Sequence, residues 1–338
     1  MNFKDDYSIG AHPRVIEALA KANSGLENSY QHDTYSVKAA GKIKEIIGNE
    51  KALVRFVAGG TLANLLVIAA SLKAFEAVIS VESGHINLHE TGAVEYTGHK
   101  IIPVKGKNGK ILPGEIEKVL EEHQTPPHMV KPKMVYISQS TEYGTIYSKE
   151  ELREISRVCK ENNLLLFMDG ARLGAALTSP ANDLKIEEIA QYTDAFYIGG
   201  TKNGGLMGEA IVINRPGIQK DFDYHLKQKG ALVAKTRFFG AQFLALFEDD
   251  LYFELAHKAN TSAEKLGRIL TGKGVKLKYP VQTNQLFPVL PDKLVEKLQK
   301  KAGFYVWEKP DEKNSVIRLV TSWQTTPEEI EDFSRLLS

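Results

Sequence analysis

The chain has 338 residues and carries 43 Lys and Arg against 42 Asp and Glu, a formal net charge of +1 at pH 7. Hydrophobic residues make up 43% and charged residues 25%, an ordinary globular composition that excludes disordered, collagenous and coiled-coil classes. The balanced charge argues against a nucleic-acid-binding protein, because such domains are normally strongly basic. The longest apolar run, residues 65–72, is too short to span a bilayer, so no membrane segment is expected. The single cysteine, Cys159, can form no internal disulfide, which indicates a reducing, cytoplasmic compartment.

Short apolar runs alternate with helix-like segments through the first two thirds of the chain. Strands are predicted at residues 52–57, 77–81, 101–104, 134–138, 164–168, 195–198 and 210–213. Helices are predicted at residues 62–73 and from Ser148, which begins an S-x-x-E capping box. This alternation indicates an α/β fold with a mostly parallel, doubly wound sheet. The last two strands follow each other so closely that we expect them to be antiparallel.

The pattern changes at about residue 250. A long helix is predicted at residues 251–270, followed by short strands near 275–278, 285–289, 304–306 and 316–320, with helices between them. We therefore expect an N-terminal arm and large domain over residues 1–248, and a smaller C-terminal α+β domain over residues 249–338.

Three polar features follow predicted strands, where a parallel sheet binds its ligands. Gly59-Gly60-Thr61 begins a helix, whose free amides attract an anion such as phosphate. Asp169 ends the most apolar strand and needs a cationic partner, which Arg172 could supply. Lys202 lies in a glycine-rich turn, GGTKNGG. Taken singly, these features also fit an ordinary turn, a structural ion pair and a solvated lysine.

Together the three features match the requirements of pyridoxal 5′-phosphate (PLP). The lysine forms a Schiff base with the cofactor. The aspartate keeps the pyridine nitrogen protonated, so that the ring acts as an electron sink. Helix amides and threonine hydroxyls hold the phosphate. A metal site is not expected, because His85 and His89 are four residues apart but no third ligand is suitably spaced.

The sequence also resembles a known family over nearly its whole length. The motifs are GGTLAN, GHINLHETGA, DGARL, GGTKNGG and IRLVTSW. They resemble those of the threonine aldolase and β-eliminating lyase family of fold-type-I PLP enzymes. The stretches GEAIVI and KGALVAKTRFFGAQ are most similar to the low-specificity threonine aldolase and phenylserine aldolase branches.

The resemblance implies a role for individual residues. Lys202 would be the Schiff-base lysine, Asp169 the partner of the pyridinium nitrogen, and His85 the ring stacked on the cofactor. Further residues implied in cofactor binding, of which Gly60 and Thr61 would bind the phosphate and the last two would approach the phosphate of a neighbouring subunit, are Gly60, Thr61, Thr201, Lys235 and Arg237. Arg172 and Arg318 would bind the substrate α-carboxylate. The implied assembly is a homodimer or homotetramer with shared active sites.

Three departures from the family pattern affect these expectations. Asp5-Asp6 replaces a Ser-Asp pair, so either Ser8 takes over the serine's contact with the carboxylate or the arm lies differently. The stretch 30–33 reads Tyr-Gln-His-Asp where the family has Tyr-Gly-Asp/Glu-Asp. The family's loop histidine near the substrate hydroxyl is replaced at residues 140–142 by Ser-Thr-Glu. The candidates for the base that acts on this hydroxyl are therefore His89 and Glu142.

The favoured function is aldol cleavage of a β-hydroxy-α-amino acid of the L-threonine, L-allo-threonine or phenylserine type to glycine and an aldehyde. The alternatives are an aminotransferase, a β-eliminating lyase acting on a small amino acid, and a PLP-binding regulatory protein. His85 favours the aldolase, since aminotransferases of this fold commonly place Phe, Tyr or Trp over the ring. The intact Lys202 and the two arginines disfavour a purely regulatory role.

Overall fold

The large domain is built on one seven-stranded sheet. The computed structural model describes residues 1–337. The strands are β1 (Leu53–Val57), β2 (Glu76–Val81), β3 (Lys100–Val104), β4 (Lys131–Ser138), β5 (Leu165–Asp169), β6 (Ala195–Gly199) and β7 (Glu209–Ile213). Their order in the sheet is β1-β7-β6-β5-β4-β2-β3. All pairs are parallel except those of β7, which runs antiparallel to both β6 and β1. The predicted mostly parallel sheet and the antiparallel pair are both confirmed.

Both faces of this sheet are covered, which explains why the central strands are mostly apolar. Along β4, Met134 and Tyr136 pack into one hydrophobic cluster, whereas Val135 and Ile137 pack into another. Successive side chains of a strand point to opposite faces, so the two clusters lie on the two sides of the sheet. A sheet buried on both faces needs apolar residues at every position rather than at every second one.

Helices connect the strands. In the large domain they are α1 (Pro13–Ala22), α2 (Thr34–Ile46), α3 (Gly60–Ser71), α4 (His85–Leu88), α5 (Ala93–Tyr96), α6 (Pro113–Glu122), α7 (Lys149–Glu161), α8 (Leu173–Leu177), α9 (Ile186–Tyr192), α10 (Pro216–Gln219), α11 (Phe222–Gln228) and α12 (Arg237–Phe247). The capping box predicted for α7 is confirmed, since Ser148 Oγ accepts the Glu151 amide and Glu151 Oε2 accepts the Ser148 amide. Cys159 lies on the buried face of α7, and burial raises the pKa of its thiol to about 12.

A smaller antiparallel sheet forms the core of the C-terminal part of the chain, where a smaller α+β domain was predicted. Its strands are β8 (Lys276–Leu277), β9 (Gln285–Leu286), β10 (Pro288–Pro291), β11 (Tyr305–Glu308) and β12 (Asn314–Val320), and its helices are α13 (Leu251–Gly272), α14 (Asp292–Gln299) and α15 (Pro327–Leu336). The strand order is β11-β12-β10-β8, and β9 also pairs with β12. The single strand predicted at 285–289 is divided into β9 and β10, because its two halves pair with opposite ends of β12.

The N-terminal arm connects the two domains. Asn2 and Phe3 pair with Gly303 beside the small sheet, and the Val320 amide donates to the Phe3 carbonyl at 2.9 Å. The Phe3 side chain is fully buried in the hydrophobic cluster of the small domain. The arm then crosses to the large domain, where α1 begins. No helix in residues 1–337 is long and apolar enough to cross a membrane.

Candidate active site

Two connected cavities lie at the edge of the large sheet where β4, β5 and β6 end. The inner cavity, of about 370 Å³, is lined by residues that include Gly59, Gly60, Thr61, His85, Glu142, Asp169, Arg172, Thr201, Lys202 and Glu209. The outer cavity, of about 660 Å³, shares Tyr7, His85, Glu142, Arg172 and Lys202 and adds His89, Trp307 and Arg318. The position agrees with the general rule that open α/β sheets bind ligands at the carboxyl ends of their strands.

Lys202 follows β6 and opens onto both cavities. Burial lowers the pKa of its ammonium group, and the positive charge of Arg172 lowers it further. Its Nζ lies 5.8 Å from the centre of the Tyr7 ring. A lysine whose pKa is lowered by burial and a neighbouring cation is more readily neutral, which is the form that attacks an aldehyde.

Asp169 is held rigidly at the end of β5. Its carboxylate accepts hydrogen bonds from the hydroxyls of Tyr136 (2.6 Å) and Tyr197 (2.5 Å), from the Asn64 amide group (3.0 Å) and from the backbone of Ala171 (2.9 Å). Burial alone would raise the pKa of Asp169. The nearby His85 ring and these hydrogen bonds hold the pKa below its ordinary value. Asp169 therefore supplies a fixed negative charge inside the cavity.

A second chain of hydrogen bonds orients His85. Its Nδ1 lies 2.8 Å from Oε1 of the buried Glu90. The Asn64 side chain donates both to the same Glu90 oxygen, at 2.7 Å, and to Asp169. One amide group thus connects the carboxylate that orients the His85 ring to the carboxylate expected to face the pyridine nitrogen.

The loop before α3 provides the anion-binding end of the inner cavity. Gly59 precedes the helix in an extended conformation, and Gly60 and Thr61 form its first turn, where backbone amides have no partner within the helix. A side chain at position 60 is excluded, because its Cβ would lie 2.9 Å from the Tyr197 hydroxyl. Thr201 lines the same cavity beside Lys202.

These residues fit pyridoxal phosphate. An amine for the aldehyde, a buried carboxylate for the ring nitrogen and a helix amino terminus for the phosphate all line one small cavity. Lys202, Asp169 and residues 59–61 would therefore hold the cofactor. Among residues 1–337 no three His, Cys, Asp or Glu side chains are grouped as metal ligands.

Arg172 is paired with a residue of the N-terminal arm. Its Nε and Nη2 donate to the two carboxylate oxygens of Asp6 at 2.8 and 2.9 Å. Asp6 Oδ2 also accepts from Asn284 in the small domain at 2.8 Å. Burial alone would raise the pKa of Asp6, but Arg172 and Lys202 hold it below its ordinary value. Arg172 lines the cavity, but two of its three guanidinium nitrogens are already paired with Asp6.

Ser8 does not lie where the sequence analysis expected it, in contact with the substrate carboxylate. The Asp5 carboxylate accepts the backbone amides of Tyr7 and Ser8, at 3.2 and 2.8 Å, which forms a turn in the arm. This turn leaves Ser8 exposed and outside the lining of both cavities. Asp5 is therefore occupied by its own backbone, and Tyr7 is the arm residue that lines the two cavities.

Arg318 is the arginine that remains available to a ligand. Its guanidinium lies over the rings of Trp307 (4.9 Å) and Tyr305 (5.3 Å). Its Nε is buried and has no hydrogen-bond partner within residues 1–337, and its Nη2 makes one long contact, 3.5 Å, with the Lys4 carbonyl. Burial, together with the charge of Arg172, lowers the pKa of Arg318. A half-buried cation with an unpaired donor is suited to bind a carboxylate.

The two candidate bases, His89 and Glu142, both line the outer cavity. Glu142 Oε1 accepts from Ser138 Oγ (2.7 Å) and from the His85 amide (3.0 Å), whereas Oε2 is buried without a partner in the described chain. Burial raises the pKa of Glu142. Burial lowers the pKa of His89, and the neighbouring His85 lowers it further, so the His89 ring is neutral at neutral pH.

Two predicted cofactor-binding residues lie away from these cavities. Lys235 and Arg237 line a separate surface pocket of about 180 Å³, and Arg237 donates to the Gly25 carbonyl at 3.0 Å. The stretch 30–33 is fixed nearby, since the Gln31 amide donates to Thr236 Oγ1 at 2.6 Å. The single chain therefore does not bring these two cations to its own Lys202. A larger groove of about 840 Å³, lined by α1, α2 and α12, contains none of the sequence motifs.

Several residues of the site were not predicted from the sequence. They are Asp6, Tyr7, Asn64, Glu90, Tyr136, Tyr197 and Glu209. The available signal was a polar side chain within an apolar segment, as for Asn64 in LANLLVI and Tyr136 in MVYIS. Such residues need a buried hydrogen-bond partner, which the sequence pattern does not identify.

Comparison with known proteins agrees with this geometry. The model of the β-eliminating lyase family matches residues 5–293. The low-specificity L-threonine aldolase of Pseudomonas aeruginosa is 34% identical, over 98% of this chain and 95% of that protein. The solved structure of Leishmania major threonine aldolase superposes with a TM-score of 0.97 at 42% identity, covering 99% and 98% of the two chains. An aromatic aminotransferase from Pyrococcus horikoshii, at 16% identity and a TM-score of 0.73 over 100% and 94% of the chains, shares the fold alone. This chain therefore belongs to the β-eliminating lyase family, as a pyridoxal-phosphate-dependent lyase of fold type I.

Proposed function

We propose that the protein cleaves a β-hydroxy-α-amino acid of the threonine type to glycine and an aldehyde. The observation that carries this proposal is the half-buried Arg318, which lines the cavity that also holds Lys202 and whose Nε has no hydrogen-bond partner in the described chain. An amino acid anchored there by its carboxylate would have its amino group directed toward the cofactor-binding lysine. The names of the relatives above support a substrate of this class.

Four residues of the site have separate tasks in this reaction. Lys202 would hold the cofactor through its side-chain amine. When bound, pyridoxal phosphate accepts the electrons of the bond that breaks between Cα and Cβ. Asp169 keeps a negative charge beside the ring nitrogen, and Arg318 holds the substrate carboxylate. His85 is kept in a single orientation by Glu90.

Cleavage also requires a base for the β-hydroxyl proton, and His89 and Glu142 are the two candidates. A neutral imidazole accepts a proton near neutral pH, which favours His89. Glu142 lies deeper, with Oε2 free to contact the hydroxyl, which favours a hydrogen-bonding role. Replacing His89 by Asn should lower kcat at neutral pH if His89 is the base. Loss of kcat only in Glu142→Gln would assign that task to Glu142.

The assembly we propose is a homodimer or homotetramer in the cytoplasm. Lys235 and Arg237 would then contact the cofactor phosphate bound by a neighbouring subunit, which accounts for their distance from their own cavities. The buried Cys159 suits a reducing compartment. Size-exclusion chromatography with light scattering measures the assembly, and a monomeric active enzyme would contradict it.

Product analysis tests the activity. The purified holoenzyme is incubated with L-threonine, L-allo-threonine, phenylserine and cysteine, with and without pyruvate, and Lys202→Ala serves as the inactive control. Glycine and aldehyde formed without pyruvate are expected. Alanine formed only with pyruvate, without aldehyde, would indicate an aminotransferase instead. Pyruvate formed from cysteine as the main product would indicate β-elimination.

A further inference from the structure

A buried carboxyl group, Glu209, lies beside Lys202 and has no task in the reaction described above. Glu209 is 5% exposed and lines the inner cavity. It is the first residue of β7, which runs antiparallel to both of its neighbours. The amino end of β7 therefore lies at the edge where the parallel strands end, and this topology places an acidic group among the residues expected to bind phosphate.

The contacts of Glu209 lead directly to Thr201. Glu209 Oε2 accepts the Gly200 amide at 2.9 Å, and the carboxyl group is also hydrogen-bonded to the Thr201 side chain. Thr201 Oγ1 accepts the Gly208 amide at 2.9 Å. A hydroxyl has one proton and two acceptor positions. When Glu209 is ionised, it can only accept, so the single proton of Thr201 points to Glu209 and away from the cavity.

Burial raises the pKa of Glu209 to about 7, although the charge of Lys202 and the hydrogen bonds from Thr201 and Gly200 act in the opposite direction. The other titratable groups that act on it electrostatically are Asp169, Tyr197 and Tyr252. The Glu209 carboxyl group therefore gains or loses its proton near neutral pH. A second anion in the same cavity would raise this pKa further.

We propose that Glu209 is a positioning residue that takes up one proton when the cofactor phosphate binds. The protonated carboxyl group donates to Thr201 Oγ1, and the Thr201 hydroxyl proton turns to the phosphate. The Gly208 amide keeps its bond, because the hydroxyl oxygen accepts two hydrogen bonds. Protonation of Glu209 thereby removes the repulsion between its carboxylate and the phosphate. This proposal rests on the proposed function, which requires pyridoxal phosphate in the inner cavity. It also requires that the phosphate contacts Thr201, which lines this cavity together with the loop at Gly60.

Proton uptake on binding of pyridoxamine 5′-phosphate tests the proposal. This probe carries the phosphate but forms no bond to Lys202, and pyridoxamine is the matching ligand without phosphate. Calorimetry of the full-length apoprotein at pH 8, in two buffers of different ionisation enthalpy, counts the protons taken up. The variant Glu209→Gln imitates the protonated carboxyl group in shape and in donors. The control is Glu121→Gln, which changes an exposed carboxylate on α6.

We expect the wild type and the control to take up close to one proton more than Glu209→Gln. Binding of the wild type and of the control is linked to one proton. Above pH 7, each pH unit should therefore raise their dissociation constant by a factor about ten times larger than the factor for the variant. Equal proton uptake in all three proteins would overturn the proposal. If the variant does not fold, equal uptake by the wild type with pyridoxamine and with its phosphate overturns it as well.

The assay contains no amino-acid substrate, so failure of the aldolase reaction leaves the proton count unchanged. Wild type that binds pyridoxamine 5′-phosphate no more tightly than pyridoxamine would refute the phosphate site, and the role of Glu209 with it. The two proposals can therefore fail separately.

Discussion

The ion pair between Asp6 and Arg172 makes a quantitative prediction about stability. The Asp6 side chain is 1% exposed and that of Arg172 12%, and two hydrogen bonds of 2.8 and 2.9 Å join them. In Asp6→Asn the new amide group can accept one of these bonds but directs its own N–H donors at the guanidinium. Removing one partner of a buried ion pair costs about 3–5 kcal/mol, because the other charge stays buried. We expect a loss of this size in the free energy of unfolding.

The matched control is Asp5→Asn in the same arm. The Asp5 carboxylate accepts only backbone amides, so an Asn side chain keeps an acceptor there and should cost roughly 1 kcal/mol or less. Urea unfolding of the apoproteins at pH 7, followed by circular dichroism, measures both variants. Because the pKa of Asp6 is lowered in the folded state, its contribution is present above its unfolded pKa and lost as pH falls through the folded pKa. Equal losses in the two variants, or no change in acid, would refute the buried ion pair.

Four further predictions follow from the site. Borohydride reduction of the holoenzyme should leave the pyridoxyl group on Lys202 in peptide mapping, and a label on another lysine would contradict this. Asp169→Asn should fold normally but lose at least about 100-fold in kcat, the order expected when a preorganised charge is removed, so near-native turnover would show Asp169 to be structural. Arg318→Lys should raise KM roughly 10- to 100-fold with unchanged cofactor affinity, because the planar donor pair is lost, and an unchanged KM would exclude carboxylate binding. Glu209 has an ordinary pKa of 4.5 and a folded value of about 7, so the folded state alone holds its proton between these values. The contribution of Glu209 to the unfolding free energy of the apoprotein should therefore fall by about 3 kcal/mol as pH rises through this range, and Glu209→Gln should lack this contribution; an identical pH dependence in the two proteins would contradict the raised pKa.

The sequence was sufficient for the main sheet because its strands are buried on both faces and therefore read as uninterrupted apolar runs. It was also sufficient to predict that Lys202, Asp169 and the loop at Gly60 lie together at one edge of the sheet, because glycines and strand ends mark these positions locally. The split of β9 from β10 was missed, since it depends on how β12 pairs with each half. Pairing between distant strands leaves no local signal.

The same reason explains why the supporting residues were missed. Asp6 meets Arg172 across a sequence separation of 166 residues, and the arm was expected to contribute Ser8 instead. Asn64 and Glu90 belong to motifs that were identified, but their shared hydrogen bond depends on how α3 packs beside α4. Residues that act through a neighbour are specified by tertiary packing, which a single sequence does not reveal.

The arm also has a consequence for the order in which the protein is made. Phe3 is synthesised long before β12 and α15, which contribute to its hydrophobic cluster, and Val320 of β12 pairs with its backbone. During synthesis the large sheet can form while the arm has no place to bind. Asp6 and Tyr7 then reach the cavities only after the last strand has emerged. A nascent chain from which β12 has not yet emerged should therefore contain a folded large sheet but an incomplete active site.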